Sequence, residues 1–98
     1  MKTKEEIVKT LGLANRAKKI VYGFDNIVNG LKDNIIVAIY TLKDLDGDSI
    51  KQLRSKSSYY NVPLYEIFDI ENIHNITGKD NIKMIGLIDR GFYNLIIK

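Results

Sequence analysis

Segments with the spacing of a helix and segments with the composition of a strand alternate along this chain from one end to the other. The clearest strand is Ile35–Tyr40 (IIVAIY), an unbroken apolar run typical of a central strand that is covered on both faces. Helices and strands in strict alternation favour one sheet sandwiched between helices on both of its faces. The expected fold class is therefore α/β.

The other predicted elements follow from periodicity and from residues that begin or end helices. Ile7, Val8, Leu11, Leu13 and Ala14 predict one buried stripe on the first helix. Asp46 or Asp48 is expected to cap the third helix, Asp69 the fourth and Asp89 the last. In order, the predicted elements are helix Glu5–Ala17, strand Lys19–Tyr22, helix Asp25–Leu31, strand Ile35–Tyr40, helix 49–58, strand Leu64–Phe68, a short helix with Ile70, Ile73 and Ile76, a turn at Gly78–Asn81, strand Lys83–Ile88, and a helix with Phe92, Leu95 and Ile96.

The composition is that of one small globular domain spanning residues 1–98, because 45% of the 98 residues are hydrophobic and 28% are charged. The chain has no run of about 18 apolar residues, and its charged start, MKTKEEIVK, is unlike a secretory signal. We therefore expect a cytoplasmic protein with no membrane partner. The absence of cysteine from the sequence excludes disulfides and thiolate metal sites.

Positive charge is concentrated in the first quarter of the chain. Residues 1–23 contain six cations and two acids, whereas residues 24–98 contain nine cations and ten acids. This asymmetry favours a polyanion as partner, with Arg16, Lys18 and Lys19 placed to meet phosphates. A basic first helix that is merely solvated remains the alternative.

The motifs that suggest metal or nucleotide chemistry are incomplete. A calcium loop beginning at Asp44 would need glycine and glutamate where the chain has Ser49 and Ser55. The segment Thr77–Asp80 (TGKD) lacks the other residues of a Walker motif, and His74 has no cysteine partner. We therefore expect neither catalysis nor a cofactor or metal.

Two turns remain as candidates for contact with nucleic acid, Gly23–Asn26 and Thr77–Asn81. Both should lie at the same end of the sheet if the second helix and the fourth strand are neighbours. Amide side chains at the start of a helix can bond base edges, and a loop of small residues can admit an unstacked base. The alternative is purely structural, with Asp25 capping the second helix and Gly78 closing the fourth.

Three segments of the chain, LGLANRAKKIVYG, SYYNVPLYEI and ITGK with the strand and DRGF ending that follow it, resemble one known family. This family is the kink-turn RNA-binding ribosomal proteins, also called L-seven-Ae and L-thirty-e-like, with its short bacterial YlxQ-like members. The resemblance implies a three-layer α/β/α sandwich with a four-stranded mixed sheet. It also implies a non-enzymatic, ribosome-associated protein whose partners are structured RNA, either ribosomal or kink-turn-containing, and ribosomal proteins.

In that family the start of helix two contacts the sheared guanine–adenine pairs of a kinked RNA, and the loop before the last strand packs on the bend. Asp25, Asn26 and Asn29 stand here where members typically carry Asn, Glu and then Lys, so we expect weaker selectivity for kinked RNA. A protein-interaction module that has lost selective RNA binding is the alternative, and an RNA-modifying enzyme ranks last. The predicted RNA-binding residues comprise the cations of the first quarter of the chain, the start of helix two and the loop before the last strand. They are Arg16, Lys18, Lys19, Gly23, Asp25, Asn26, Asn29, Ile76, Thr77, Gly78, Lys79, Asn81 and Ile82.

Overall fold

The structure is a computed structural model and describes residues 2–98. Within that range five helices alternate with four strands. Every predicted element is present, most of them within one or two residues of the expected bounds. The elements are α1 (Lys4–Arg16), β1 (Ile20–Tyr22), α2 (Phe24–Lys32), β2 (Ala38–Leu42), α3 (Asp48–Tyr59), β3 (Leu64–Phe68), α4 (Ile70–Thr77), β4 (Met84–Leu87) and α5 (Arg90–Ile97).

The four strands form one mixed sheet in the order β1-β4-β2-β3. β4 pairs antiparallel with both β1 and β2, and β2 pairs parallel with β3. The β2–β3 register shifts between Thr41 and Leu42. Since β1, β2 and β3 all run in one direction and β4 runs in the other, each end of the sheet gathers loops from all four strands.

Apolar side chains cover both faces of the sheet. On one face α1, α4 and α5 pack against Tyr40, Phe68 and Ile85. On the other face α2 and α3 pack against Ile39 and Met84. Side chains alternate across a strand, so Ala38 and Tyr40 face one layer of helices and Ile39 the other. The expected three-layer α/β/α sandwich with a four-stranded mixed sheet is confirmed.

Two of the predicted helix caps are confirmed and one is wrong. The carboxylate of Asp69 accepts a hydrogen bond from the Asn72 amide at 3.0 Å, and that of Asp89 accepts one from the Phe92 amide at 2.9 Å. Neither Asp46 nor Asp48 caps α3, whose N-cap residue is Gly47. Asp46 instead accepts from the Gly47 amide at 2.8 Å, and Asp48 is already the first residue of the helix.

The second strand does not coincide with the apolar run Ile35–Tyr40 that predicted it. The structure places β2 at Ala38–Leu42, because Asn34 turns the chain with a φ of 58° and the Ile35 amide donates to the Gly30 carbonyl at 3.0 Å. Ile35 therefore lies in the turn that closes the end of α2 and is 46% exposed. The strand itself is buried on both faces as expected, except for its last residue.

One residue of the stripe predicted on α1 does not face the core. Ile7, Leu11 and Ala14 are buried, but Leu13 is 54% exposed. At 3.6 residues per turn, Leu13 is rotated about 200° from Leu11, so a helix that buries one of them turns the other outward. None of the helices in residues 2–98 is long and apolar enough to cross a membrane.

Candidate nucleic-acid interface

The pairing of β1 with β4 brings the two candidate turns together. The Gly23 amide donates to the Met84 carbonyl at 3.1 Å, and Tyr22 lies opposite Ile85 in the register. The start of α2 therefore adjoins the loop that enters β4, as predicted. We call this end of the sheet, where β1 finishes and β4 begins, the Gly23 end, and the opposite end, where β1 begins, the Lys19 end.

The first turn of α2 has no side-chain cap. Its N-cap residue is Gly23, with φ 84° and ψ 163°, a conformation that glycine adopts without strain. Asp25 lies inside the first turn and does not cap the helix, so the structural alternative for Asp25 is wrong. Uncapped amide groups at a helix start can donate to an anion or to a base acceptor.

Two exposed amide side chains follow that helix start. Asn26 donates through Nδ2 to the Tyr22 carbonyl at 2.9 Å, which fixes the orientation of the side chain. Asn29 lies one turn further along α2 and is also exposed. Because Asn26 has its amide nitrogen bonded to the backbone, its Oδ1 atom is the group best placed to accept a hydrogen bond from a base.

The loop before β4 is held in shape by one hydroxyl. Thr77 Oγ1 donates to the Ile73 carbonyl at 3.0 Å and accepts from the Lys79 amide at 3.1 Å. Gly78 ends α4 in the left-handed conformation, with φ 70°, as the structural reading of Gly78 expects. Asn81 is also left-handed, with φ 63°. The loop is thus ordered by its own contacts before any partner binds.

The predicted loop residues fall into two groups according to exposure. Ile76 is 3% exposed and packs in the core beneath α4, and Thr77 is 7% exposed. Gly78, Lys79 and Asn81 are exposed, and Ile82 is half-buried. The buried side chains of Ile76 and Thr77 therefore support the loop from its core side, while the other residues form its exposed surface.

Tyr22 connects this loop with α1. The Lys79 Nζ atom lies 6.0 Å from the centre of the Tyr22 ring, and the Tyr22 hydroxyl donates to Asn15 Oδ1. A lysine over an aromatic face is held by cation–π attraction while its ammonium group stays in water. Neither Tyr22 nor Asn15 was predicted from the sequence, although both lie within the LGLANRAKKIVYG segment.

A second feature that the sequence did not predict is a cavity of about 350 Å³ at the Gly23 end. The start of α2 forms one wall of it, the loop entering β4 another and the β2–α3 loop the third. The only sequence signal for this third wall is Leu45, an apolar residue in an otherwise polar loop. The lining residues are Gly23, Phe24, Leu45, Asp46, Asp48, Ser49, Ile50, Asn81, Ile82, Lys83 and Met84.

The three predicted cations do not join this cavity. Lys18 and Lys19 lie at the Lys19 end, where the Ile88 amide donates to the Lys19 carbonyl at 3.0 Å. Four residues of extended chain, roughly 13 Å, separate Lys19 from Gly23. Arg16 ends α1 and lines a groove of about 810 Å³ between α1 and α4. The structure thus divides the predicted residues between the two ends of the sheet.

The ionisable side chains whose pKa values are shifted lie outside the Gly23 end. The hydrogen bond from Arg54, with its charge, lowers the pKa of Glu66 on β3. Burial and the hydroxyl of Tyr93, 2.7 Å away, raise the pKa of Tyr65 to about 12. In residues 2–98 no three His, Asp or Glu side chains gather as metal ligands would. The Gly23 end thus combines free backbone amides, one ordered loop and a small cavity.

Comparison with known proteins gives relatives that cover most of the chain. No family model matches it. It is 29% identical over 89 residues to the RNA-binding protein YlxQ of Enterococcus faecium, covering 91% of this chain and 85% of that protein. It is also 29% identical over 87 residues to the RNA-binding protein YlxQ of Bacillus subtilis (strain 168), covering 89% and 87%.

Solved structures share the fold at lower sequence identity. A protein of unknown function from Bacillus halodurans superposes with a TM-score of 0.86 at 23% identity, over 94% of this chain and 93% of that one. The 15.5kD RNA-binding protein of Giardia lamblia gives a TM-score of 0.79 at 11% identity, over 95% and 80%. At these identities the likeness concerns the fold alone.

Proposed function

Since this chain is a relative of the YlxQ proteins, and so resembles the kink-turn RNA-binding family as its motifs predicted, we propose that it is a non-enzymatic RNA-binding protein. The proposed contact surface is the Gly23 end, and the partner is a structured RNA recognised chiefly by its shape. No cofactor takes part. Association with the ribosome, as the resemblance implies, belongs to the same proposal.

One observation carries this proposal, namely the hydrogen bond from the Gly23 amide to the Met84 carbonyl. It places an uncapped helix start, which offers backbone donors, beside an ordered loop that carries a cation. Asn26 adds its Oδ1 atom as an acceptor, Asn29 adds a free side-chain amide, and Lys79 can meet a phosphate. Donors that reach base edges next to a cation that reaches the backbone are what RNA recognition requires.

We propose that kinked RNA with sheared guanine–adenine pairs is the preferred shape, but that the preference is modest. Asn29 replaces a lysine of typical members, which removes one charge-assisted contact worth roughly 1–3 kcal/mol. Asp25 is exposed in the first turn of α2 and repels a phosphate that comes close. The ordered loop at Thr77–Ile82 supports the shape preference, because it needs no rearrangement before it packs on a bend.

The test is a fluorescence anisotropy titration with two labelled RNAs of equal length, one containing a kink with tandem guanine–adenine pairs and one fully paired. We expect tighter binding of the kinked RNA, with affinity for both falling as salt rises. The double variant Asn26→Ala/Lys79→Ala should lose most of the preference. The matched control Asn94→Ala/Lys98→Ala removes the same two residue types from the C-terminal segment of the chain and should keep the preference. Equal and negligible binding of both RNAs at low salt would refute the proposal.

A protein-interaction module is the second candidate, and the acidic character of the Gly23 end favours it. Asp46 and Asp48 line the cavity and are exposed, and Asp25 is exposed in the first turn of α2. A surface with these carboxylates also suits a basic protein segment. Exchanging Lys18 and Lys19 for glutamate distinguishes the two candidates, because the reversed charge should weaken RNA binding at low salt and leave the binding of a protein at the Gly23 end nearly unchanged.

A further inference from the structure

Three exposed cations at the Lys19 end of the sheet, Lys18, Lys19 and Arg90, come from two different parts of the chain. Lys18 and Lys19 form the turn between α1 and β1. The Ile88 amide donates to the Lys19 carbonyl at 3.0 Å, and Arg90 begins α5 two residues after Ile88. Two residues of chain span at most about 7 Å, so Arg90 lies next to the lysine turn although 70 positions separate them in sequence.

The folded chain separates charge between the two ends of the sheet. The loops and helix ends at the Gly23 end carry more acids than cations, and those at the Lys19 end carry more cations than acids. A polyanion is therefore attracted to the end opposite the one that offers donors to bases. In the loops and helix ends joined directly to the strands, the acids at the Gly23 end are Asp25, Asp44, Asp46, Asp48, Asp69, Glu71 and Asp80, with the cations Lys43, Lys79 and Lys83. The cations at the Lys19 end are Arg16, Lys18, Lys19, Lys32, Lys56 and Arg90, with the acids Asp33 and Asp89.

Helix dipoles account for part of this separation but not for all of it. Arg16, Lys32 and Lys56 stand in the last turns of α1, α2 and α3, where a cation stabilises the helix. Arg90 is instead the first residue of α5, where the positive end of the dipole disfavours a cation. Its guanidinium carbon lies 5.8 Å from the centre of the Tyr93 ring. A guanidinium over a ring keeps its N–H donors at the edge of its plane, where they can bind a phosphate.

Lys18 also occupies a position that local stability disfavours. Its φ is 61°, in the left-handed region that follows the end of a helix and that favours glycine or asparagine. Five non-glycine residues among positions 2–98 have positive φ, and the four others are Asn34, Asp44, Asn61 and Asn81. A strained residue is an indication of function when the usual residue would serve the fold better. The charge of Lys18 is thus kept where asparagine would suit the backbone.

From these observations we infer that Lys18, Lys19 and Arg90 form a second RNA-binding surface. This surface binds the phosphate backbone and does not discriminate among bases. The inference rests on the proposed function and extends it, because the same RNA is held at a place remote from the Gly23 end. Tyr93 is 8% exposed beneath Arg90 and leaves no open aromatic face for a base, so the three cations offer charge without base discrimination. The surface therefore adds affinity equally to kinked and to straight RNA.

The test removes the three charges with Lys18→Gln/Lys19→Gln/Arg90→Gln and repeats the titration with both RNAs over a range of salt. We expect about tenfold weaker binding of each RNA at low salt, an unchanged ratio between them, and a salt slope reduced by about 3. The control Lys4→Gln/Lys9→Gln/Lys98→Gln changes the net charge equally, far from the Lys19 end. A triple variant that binds like this control would overturn the inference, and it would leave the preference for kinked RNA, which tests the Gly23 end, intact.

A single substitution separates the function of Lys18 from its structural effect. Lys18→Asn suits the left-handed backbone better, so the melting temperature should rise by a few degrees while the affinity for both RNAs falls. A residue kept only for the fold would give a lower melting temperature and an unchanged affinity. If the variant binds RNA as tightly as the native protein, or melts at a lower temperature, the role assigned to Lys18 is wrong.

Discussion

Replacing Thr77 with valine removes the one hydroxyl that shapes the loop before β4 and leaves the side-chain volume nearly unchanged. The hydroxyl makes two hydrogen bonds, to the Ile73 carbonyl at 3.0 Å and from the Lys79 amide at 3.1 Å, and the residue is 7% exposed. Each such bond is worth about 1 kcal/mol net, and leaving the partners without a bond adds a desolvation penalty. We expect the free energy of unfolding to fall by about 2 kcal/mol.

The same substitution at Thr10 is the matched control. Thr10 Oγ1 donates to the Glu6 carbonyl at 2.9 Å, the same bond within a helix, but on the surface of α1 where water replaces it. Urea unfolding followed by circular dichroism should give a loss of about 0.5 kcal/mol or less at Thr10. In thermal melts Thr77→Val should lower the midpoint by roughly 10 °C. The preference for kinked RNA should fall with it, because the loop loses its fixed shape. Equal losses at the two threonines would refute the account of the loop.

Three further predictions concern the rest of the fold. Arg54 lowers the pKa of Glu66, so the stabilisation from this pair is present above the ordinary carboxyl range and is lost as pH falls through the lowered value. When the free energy of unfolding is measured against pH, Glu66→Gln should therefore reduce the loss on the acid side by up to about 1 kcal/mol. The pKa of Tyr65 is raised to about 12 from 10.0, so stability should decline as pH rises through that interval, and Tyr65→Phe should reduce the decline in alkaline melts. Leu11→Ala should cost about 2–5 kcal/mol in urea unfolding, whereas Leu13→Ala should cost less than about 1 kcal/mol, and similar values would contradict the orientation of α1.

The order and type of every element could be predicted from the sequence because each segment buries an apolar face of its own period. The failures are at places where a single local hydrogen bond decides the boundary of an element. Ile35 belongs to an apolar run, yet the bond from its amide to the Gly30 carbonyl keeps it at the end of α2. Gly47 takes the N-cap of α3 because Asp46 bonds the turn instead. Periodicity contains no information on either contact.

The candidate site was predictable in part for a similar reason. The meeting of the two turns followed from the expectation that α2 and β4 are neighbours, and the β1–β4 pairing bears it out. The cavity wall from the β2–α3 loop had little signal beyond Leu45. Lys19 and Gly23 are close in sequence but lie at opposite ends of β1, a separation that follows once the segment between them is recognised as an extended strand.

The separation of charge along the strands gives the molecule an electric dipole moment, which acts before any contact forms. In the field of a polyanion the protein turns its Lys19 end forward, so the first encounter is with the end that makes no distinction among bases. In the proposed complex, the amides and the loop at the Gly23 end reach the RNA only after the protein has rotated on it or has met a second segment of the strand. Speed of capture and selectivity are thus properties of opposite ends, and added salt should slow association while leaving the choice between RNA shapes almost untouched.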